Sequence, residues 1–362
     1  MLPHTLPALL TQEYPGALRV IVIDDRSQDG TADVARRVAE QIGSAVRLTV
    51  VTGAPLPGGW VGKVWALAQG AAHCGVRGAE RECRGREGPA SGVSPPRYLL
   101  LTDADIRHAP GSLRRLVAES EAGRVALNSR MARLRCVSGP ERLLIPPFVF
   151  FFNLLYPMRW VNDRDRPVAA AAGGCVLLAS SALERIGGFA CIKDQIIDDI
   201  GLARRVKGLN EPIRLALSRG DVESLRVYDS LAAIWTMVRR TAFTELRYSW
   251  VRLAATVLAI VLLFLLPPVL CVTGLGVTVA GLTGWSAAPP SWALASVVFG
   301  GGAWGIMAFV YRPAALFFGL SGRWSWTLPL AGVLYGAMTV DSALRYVSGR
   351  RVGWRDPESA RT

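Results

Sequence analysis

Lysine and histidine are scarce in this sequence. Lys occurs only at positions 63, 193 and 207, and His only three times in 362 residues. The six cysteines, at 74, 83, 136, 175, 191 and 271, form no Cys-x-x-Cys pair and join no His in a cluster. Neither a zinc site nor a disulfide framework is expected, and the thiols fit a reducing cytosol. The start, Met1-Leu2-Pro3-His4, shows no basic region leading into an apolar core, as a signal peptide would. Gly62-Lys63 is not the end of a Walker A loop, because Pro57 stands where its first glycine is required and Val64 where its Ser/Thr is required. Acidic residues are outnumbered, 28 against 41 basic ones, which gives a net charge of +13. Nearly all the basic residues are Arg, which with abundant Ala and Gly reads as the mark of a GC-rich genome, and no nucleic-acid partner is inferred from it. A positive mean hydropathy of +0.29 and an apolar C-terminal third make an anionic membrane surface the expected partner.

What is present starts with an apolar run, Tyr98-Leu99-Leu100-Leu101-Thr102, that leads into Asp103-Ala104-Asp105-Ile106. Continuous hydrophobics predict a buried strand, since a half-exposed one would alternate. Side chains repeat every second residue in a strand, so Asp103 and Asp105 are expected on one side, at the end of the strand where open α/β sheets bind ligands. Carboxylates in such a place suit Mg²⁺ or Mn²⁺, hard ions that complete their shell with water and phosphate oxygens. The alternative is a pair of turn or cap residues ahead of His108-Ala109-Pro110-Gly111-Ser112.

Around this run the chain reads as βαβ grammar, which implies a mostly parallel sheet covered by helices. A helix end is expected over Thr5–Gln12. A β-branched strand over Arg19–Ile23 then delivers Asp24-Asp25, and a turn through Asp29-Gly30 opens a helix over Thr31–Gln41. A strand over Val46–Val51 and a helix from Lys63 to Ala72 follow. Residues 75–97, polar and without apolar period, read as a mobile surface loop. A helix is expected over Ser112–Ala122 and a strand over Arg124–Ser129. Leu143–Tyr156, apolar but broken by Pro146-Pro147, is read either as an interfacial segment or as an ordinary buried helix. Val168–Leu178 is expected as a strand whose Gly173-Gly174 marks a bulge or a ligand passing close to the backbone. A further helix is expected from Lys193, with Asp198 and Asp199 favourable against its dipole. Two short strands near Leu215 and Leu225 lead to an amphipathic helix over Leu231–Arg247, in which Trp235, Met237, Phe243 and Leu246 alternate with Arg239 and Arg240.

Beyond Arg252 the chain changes solvent. Leu253–Val272, Trp292–Tyr311 and Leu328–Val347 are each long enough to cross a hydrocarbon core of about 30 Å. Arg247, Arg252, Arg312 and Arg323 flank these segments, whereas Gly274–Ser291 holds no Lys or Arg. The positive-inside rule then puts the catalytic part in the cytoplasm of a multi-pass inner-membrane protein. It objects to the basic tail with Arg345, Arg350, Arg351 and Arg355, which three full spans would put outside; either one segment is re-entrant or interfacial, or the rule is overridden. The expected organisation is a catalytic domain over 1–230, an interfacial helix over 231–252, membrane helices over 253–347 and a tail over 348–362.

Taken together and in order, Asp24-Asp25-Arg26-Ser27-Gln28-Asp29-Gly30-Thr31, Gly62-Lys63-Val64-Trp65-Ala66-Leu67, Asp103-Ala104-Asp105 and Asp198-Asp199-Ile200-Gly201-Leu202-Ala203-Arg204 resemble family 2 glycosyltransferases of the GT-A fold. Phe148–Asp163 and Val222–Tyr228 narrow the resemblance to the hopene-associated subgroup. The resemblance implies that Asp24, Asp25 and the turn through Asp29 hold the nucleoside of a UDP-sugar, with Lys63 close to the nucleotide. It further implies that Asp103 and Asp105 position the donor and a Mg²⁺ or Mn²⁺ ion, and that Asp199 is the catalytic base. Arg239 or Arg240 falls where relatives carry a Gln/Arg-x-x-Arg-Trp motif that meets the diphosphate, although no Trp follows either residue here. The family's domain opens with an apolar strand that precedes the first residues of this sequence, so a start codon upstream of Met1 is expected. The activity implied is inverting transfer of a sugar from a nucleotide-sugar donor to a lipid hydroxyl. The competing readings are a polyprenyl-phosphate glycosyltransferase and an inactive paralogue acting as a membrane scaffold.

Overall fold

A computed structural model describes residues 1–76, 95–285 and 287–349. The elements in chain order are α1 (Leu2–Leu10), β1 (Val20–Asp24), α2 (Thr31–Gln41), β2 (Leu48–Thr52), α3 (Gly62–His73), β3 (Tyr98–Thr102), β4 (Ile106–His108), α4 (Ser112–Gly123), β5 (Leu127–Met131), α5 (Gly139–Leu155), α6 (Met158–Val161), β6 (Cys175–Ala179), α7 (Ser180–Arg185), α8 (Asp198–Gly208), β7 (Ile213–Leu217), β8 (Val222–Ser224), α9 (Leu231–Arg239), α10 (Ala242–Glu245), α11 (Trp250–Ile260), α12 (Leu266–Leu282), α13 (Ser291–Phe317) and α14 (Leu328–Val347). The chain divides into two compact units, one of residues 1–135 and 156–226, the other of residues 136–155 and 227–362. The surface loop expected over 75–97 lies largely outside the described residues.

The first unit is the α/β part. β1 and β2 pair in parallel from Val20↔Leu48 to Asp24↔Thr52, joined by α2. Ala35, Val38 and Ala39 recur at helical spacing on α2, and that apolar face packs against Leu6 and Leu10 of α1. A second sheet has the order β3-β6-β5-β7, with β5 and β7 parallel and β6 antiparallel to both its neighbours. Strand β6 is shorter than its sequence predicts. Val168–Gly174 runs as irregular chain, and only Cys175–Ala179 joins the ladder, because the two glycines carry no side chain to pack on a pleated surface. Among the described residues β1 pairs only with β2, and β3 only with β6.

The second unit is helical. A capping box starts α5: Ser138 Oγ accepts from Glu141 N at 3.3 Å, and Glu141 Oε2 accepts from Ser138 N at 2.9 Å. The Pro146-Pro147 pair does not stop the helix. It lies on the buried face, beside Leu144, whose carbonyl accepts the Tyr335 hydroxyl at 2.8 Å. Of the two readings of this segment, the buried helix holds for its first three turns, while Leu154 and Leu155 at its end are exposed.

The helix expected over Leu231–Arg247 is broken in two. Ser342 fills the break between α9 and α10, its hydroxyl donating to Arg239 O at 2.5 Å and accepting from Phe243 N at 3.1 Å. Trp250–Leu282 then runs as one helical stretch of 33 residues. A wider π turn at Val261–Leu265 sits just ahead of Pro267-Pro268, which cannot donate to the carbonyls one turn back.

Two helices, Trp250–Leu282 and Ser291–Phe317, are long and apolar enough to cross a membrane. The third expected span forms a helix, α14, with Asp341 and Arg345 in its last turns and one face buried by neighbouring helices. Contact between α12 and α13 is backbone to backbone. A Cβ on Gly300 would sit 2.7 Å from Pro267 O and 2.8 Å from Cys271 N, and one on Gly274 would sit 2.6 Å from Ala293 O, the small-residue packing that lets apolar helices approach closely. Gly300→Leu is therefore expected to destabilise this unit by about 1–3 kcal/mol, the usual cost of overpacking, lowering the thermal midpoint of detergent-solubilised protein followed by tryptophan fluorescence. Gly302→Leu, at a position with no neighbour within 4 Å of a new Cβ, should leave that midpoint unchanged.

Candidate active site

The site forms where α3, the turn after β3 and the start of α8 meet in the first unit. Backbone bonding sets the approach: Val61 N, at the cap of α3, donates to Lys193 O at 2.7 Å, so the first turn of α3 lies beside the loop that leads into α8. Lys63 extends from that turn. Its ammonium lies 3.0 Å from Asp103 Oδ1 and 3.4 Å from Asp198 Oδ2, with a side chain only 17% exposed. Burial works against the charged ammonium, but Asp198, Asp103 and Asp199 outweigh it and push the Lys63 pKa up.

Asp199 is the second residue of α8. Its Oδ2 accepts from Gly173 N at 2.7 Å and its Oδ1 from Ile200 N at 2.8 Å. Burial, followed by the charge of Asp198, pushes the carboxyl up to about 6, against the opposing pull of Lys63 and the two N–H donors. Gly173 is a requirement of this packing. A Cβ there would come within 2.9 Å of Lys63 Nζ and 3.2 Å of Asp199 Oδ2. The sequence offers Gly173-Gly174 as a bulge or as a place of close approach; the close approach is that of Lys63 and Asp199.

Asp103 and Asp105 are not on one face of a strand. β3 ends at Thr102, and Asp103–Ile106 is a tight turn in which Ile106 N donates to Asp103 O at 3.1 Å. The turn and not the strand period sets how the two carboxylates lie, with the charge of Asp103 felt at Asp105. Burial and then the charge of Asp103 raise the Asp105 carboxyl, with Arg226 and Lys63 opposing. Leu225 N donates to Asp105 O at 2.8 Å and ties the turn to the end of β8.

Behind the turn lies a polar network that the sequence did not suggest. Thr102 Oγ1 donates to Gly174 O at 3.0 Å and pairs with His108 Nε2 at 2.9 Å. Ser112 Oγ lies 3.4 Å from His108 Nδ1 and donates to Gln12 Oε1 at 3.2 Å. This chain of contacts joins the Asp103 turn to the Gly173-Gly174 segment. Burial pushes His108 down to about 4, with Asp221 opposing, so the ring is neutral near pH 7.

The remaining predicted residues have other surroundings. Asp24 Oδ1 accepts from the amide and hydroxyl of Ser27, and Asp29 Oδ1 accepts from the amide (3.1 Å) and hydroxyl (2.5 Å) of Thr31. Both carboxylates thus shape the turn into α2, with Asp25 between them in the chain. Arg239 and Arg240 belong to the second unit, where Arg239 faces Asp341 at 3.9 Å. Asp198, read from the sequence as a helix-dipole charge, also serves as a partner of Lys63. The cluster that the structure brings together is therefore Lys63, Asp103, Asp198 and Asp199, lining one narrow cavity with Thr102 and Gly173.

Residues 1–187 match the family model described as Glycosyl transferase family 2. The chain belongs to that family. Among solved structures, S. aureus TarS 1-349 in complex with UDP is 14% identical over 96% of this chain and 88% of that one, with a TM-score of 0.38. The complex of the same fragment with UDP-GlcNAc is 14% identical over 95% and 87%, with a TM-score of 0.35. A longer TarS chain is matched at 14% identity and a TM-score of 0.37 over 67% of this chain, which spans only 36% of that length. No curated protein sequence matches the chain.

Two predictions test the site of this glycosyltransferase as built. Gly173→Ala should drive the Lys63 ammonium and the Asp199 carboxylate apart and cost on the order of 10²-fold in turnover, the scale of an ångström-sized misplacement, with the thermal midpoint lowered as the buried cluster is disturbed. His108 binds its proton more weakly in the folded chain than its ordinary value of 6.5, so the unfolded chain takes the proton first as pH falls. Stability should accordingly decline from about pH 6.5 towards pH 4, and urea midpoints measured across that range should fall less steeply in His108→Asn.

Proposed function

We propose that this family 2 glycosyltransferase is a membrane-bound inverting enzyme that moves a sugar from a UDP-sugar to a hydroxyl of a lipid acceptor of the hopanoid type. The observation that carries the reading is the surplus of negative charge around Lys63. Asp103, Asp198 and Asp199 face one ammonium, and Asp105, at longer range, feels both Arg226 and Lys63. Among the described residues no group of three or more His, Cys, Asp or Glu is placed to hold a metal ion. Two carboxylates in a turn nonetheless fit a hard divalent ion that completes its shell with substrate oxygens. Asp103 and Asp105 would hold a Mg²⁺ or Mn²⁺ ion. Bound there, the ion supplies Lewis-acid neutralisation of a departing diphosphate.

The residues of the chain carry the remaining roles. Asp199 keeps a lone pair on each oxygen beyond the one given to a backbone N–H, and its raised pKa suits a base that takes a hydroxyl proton near neutral pH. Lys63 fixes the distance between Asp103 and Asp198, and through them the distance between the donor end and the base end of the site. A single base with direct displacement inverts the anomeric centre. The membrane part of the reading is supported by the two long apolar helices, and the hopanoid part by the resemblance carried on Phe148–Asp163 and Val222–Tyr228. Arginines flanking these helices, with none in the loop between them, favour the inner membrane with the catalytic unit in the cytoplasm.

Transfer of radiolabelled sugar from UDP-sugars to extracted lipid by membranes of expressing cells tests the reading. Asp199→Asn should lower turnover by about 10²–10⁴-fold, the usual contribution of a general base, while Asp103→Ala should abolish it with membrane insertion intact. In the wild type the rate should climb as pH rises through about 6, where Asp199 loses its proton, and that limb should vanish in Asp199→Asn. Full transfer by Asp199→Asn, or by the Asp105→Ala chain in the presence of chelator, would refute the assignment.

A further inference from the structure

Formal charge is unevenly placed along the helices of the second unit. No Asp, Glu, Lys or Arg occurs from Leu253 to Tyr311, nor from Trp324 to Val340. Arg247, Arg252, Arg312, Arg323, Asp341 and Arg345 all border those stretches. The contacts between the helices show at what height each charge lies. Helix α13 runs back along α12, the second half of Trp250–Leu282: a Cβ on Gly281 would meet Pro289, one on Gly274 Ala293, and one on Gly300 Pro267 and Cys271. Helix α14 accompanies only the first half. Gly332 abuts Phe264 (2.9 Å to a Cβ), Gly336 abuts Ile260 (3.2 Å), and Tyr346 stacks on Tyr248 just ahead of Trp250. At 1.5 Å per residue Phe264 stands about 21 Å from the start of a helix about 50 Å long, so α14 begins near half height.

The segment before α14 climbs to that height from the charged end. A Cβ on Gly322 would lie 3.2 Å from Arg312 Nε, whereas Trp326 O already accepts the indole N–H of Trp304 at 3.2 Å, two turns earlier in α13. Residues 318–347 therefore rise from the level of Arg312, turn beside Phe264 and Trp304, and return. They stop well short of Trp285 and Trp292, which are exposed at the far end of the α12–α13 hairpin. The uncharged part of α13, Ser291–Tyr311, is about 31 Å long, the thickness of a hydrocarbon core.

Building on the membrane reading above, we infer that the partner of this surface is a lipid bilayer crossed only twice, by Trp250–Leu282 and Ser291–Phe317, and that residues 318–347 form a re-entrant hairpin inserted into a single leaflet. The exposed Trp326 and Leu330 meet acyl chains at mid-depth, and the Asp341 cluster with Trp235, Arg239 and Arg345 sits at the head-group level. Ser348, just past the end of α14, then lies on the face that carries Arg247, Arg252, Arg312 and Arg323. Gly284–Pro290, which holds no basic residue, is on the other face, so one orientation satisfies every arginine.

Ala288→Cys and Ser348→Cys, each in the full chain with its six native cysteines changed to Ala, separate two crossings from three. The label is a membrane-impermeant maleimide, applied to intact cells and again after the membrane is opened. The expected result is that Ala288→Cys is labelled in intact cells and Ser348→Cys only after opening, with a green fluorescent protein fused to the C-terminus emitting inside the cell. Labelling of both positions in intact cells means that α14 crosses, which overturns the hairpin but leaves the membrane reading standing. Release of the chain from membranes by alkaline carbonate overturns both.

Discussion

A lysine ammonium held among carboxylates is the constraint on which the first unit depends. Lys63 is tied to Asp103 and Asp198 and lies across the backbone of Gly173. A buried charge is tolerated only where its partners are fixed, and removing one partner strands the others. Three elements distant in sequence therefore have to arrive together: the first turn of α3, the turn after β3 and the first turn of α8. The polar network of Thr102, His108, Ser112 and Gln12 holds the second of these from behind, and the Gly173 N–H holds the third through Asp199. One ammonium does not balance the carboxylates around it. A divalent cation would relieve that imbalance, which is what the proposal of a cation-assisted sugar-nucleotide site rests on.

Much of this was legible in the sequence, for reasons that can be given residue by residue. The continuous apolar run at 98–102 and the β-branched run at 20–23 declare strands, and the acidic and glycine-containing segments after them declare the connections. What sequence reasoning misplaced was the geometry of the Asp103–Asp105 pair. Strand periodicity was extended three residues past Thr102, to Asp105, where the hydrogen bond from Ile106 to Asp103 already closes a turn. Val168–Gly174 deceived for a related reason, since small residues satisfy an apolar pattern while giving a sheet nothing to pack. The role of Asp198 as a partner of Lys63 was hidden because a helix N-terminus explains an aspartate without any partner. His108 gave no hint of its place at all; only its burial beside Thr102 and Ser112 reveals it.

The second unit is built from long apolar helices, two of them long and apolar enough to cross a membrane. Its helices are joined through glycines and prolines that would weaken a helix in water, yet here Gly274 and Gly300 let backbones touch, and a π turn absorbs the Pro267-Pro268 pair. The sequence announced this region by hydropathy, but hydropathy counts length and not depth. It treated Leu328–Val347 as equal to the other two segments, although side-chain contacts set that helix against only half of its neighbour. Ser342, unremarkable in sequence, turns out to close the break between α9 and α10.

The central claim is that the carboxylates around Lys63 bind a nucleoside diphosphate through a divalent cation. Calorimetric titration of UDP into the detergent-purified chain, with Mn²⁺ and again after EDTA, tests it most directly. The account predicts binding that requires the ion and is lost in Asp103→Asn; UDP binding of equal strength in EDTA, or equal binding by Asp103→Asn, would contradict it.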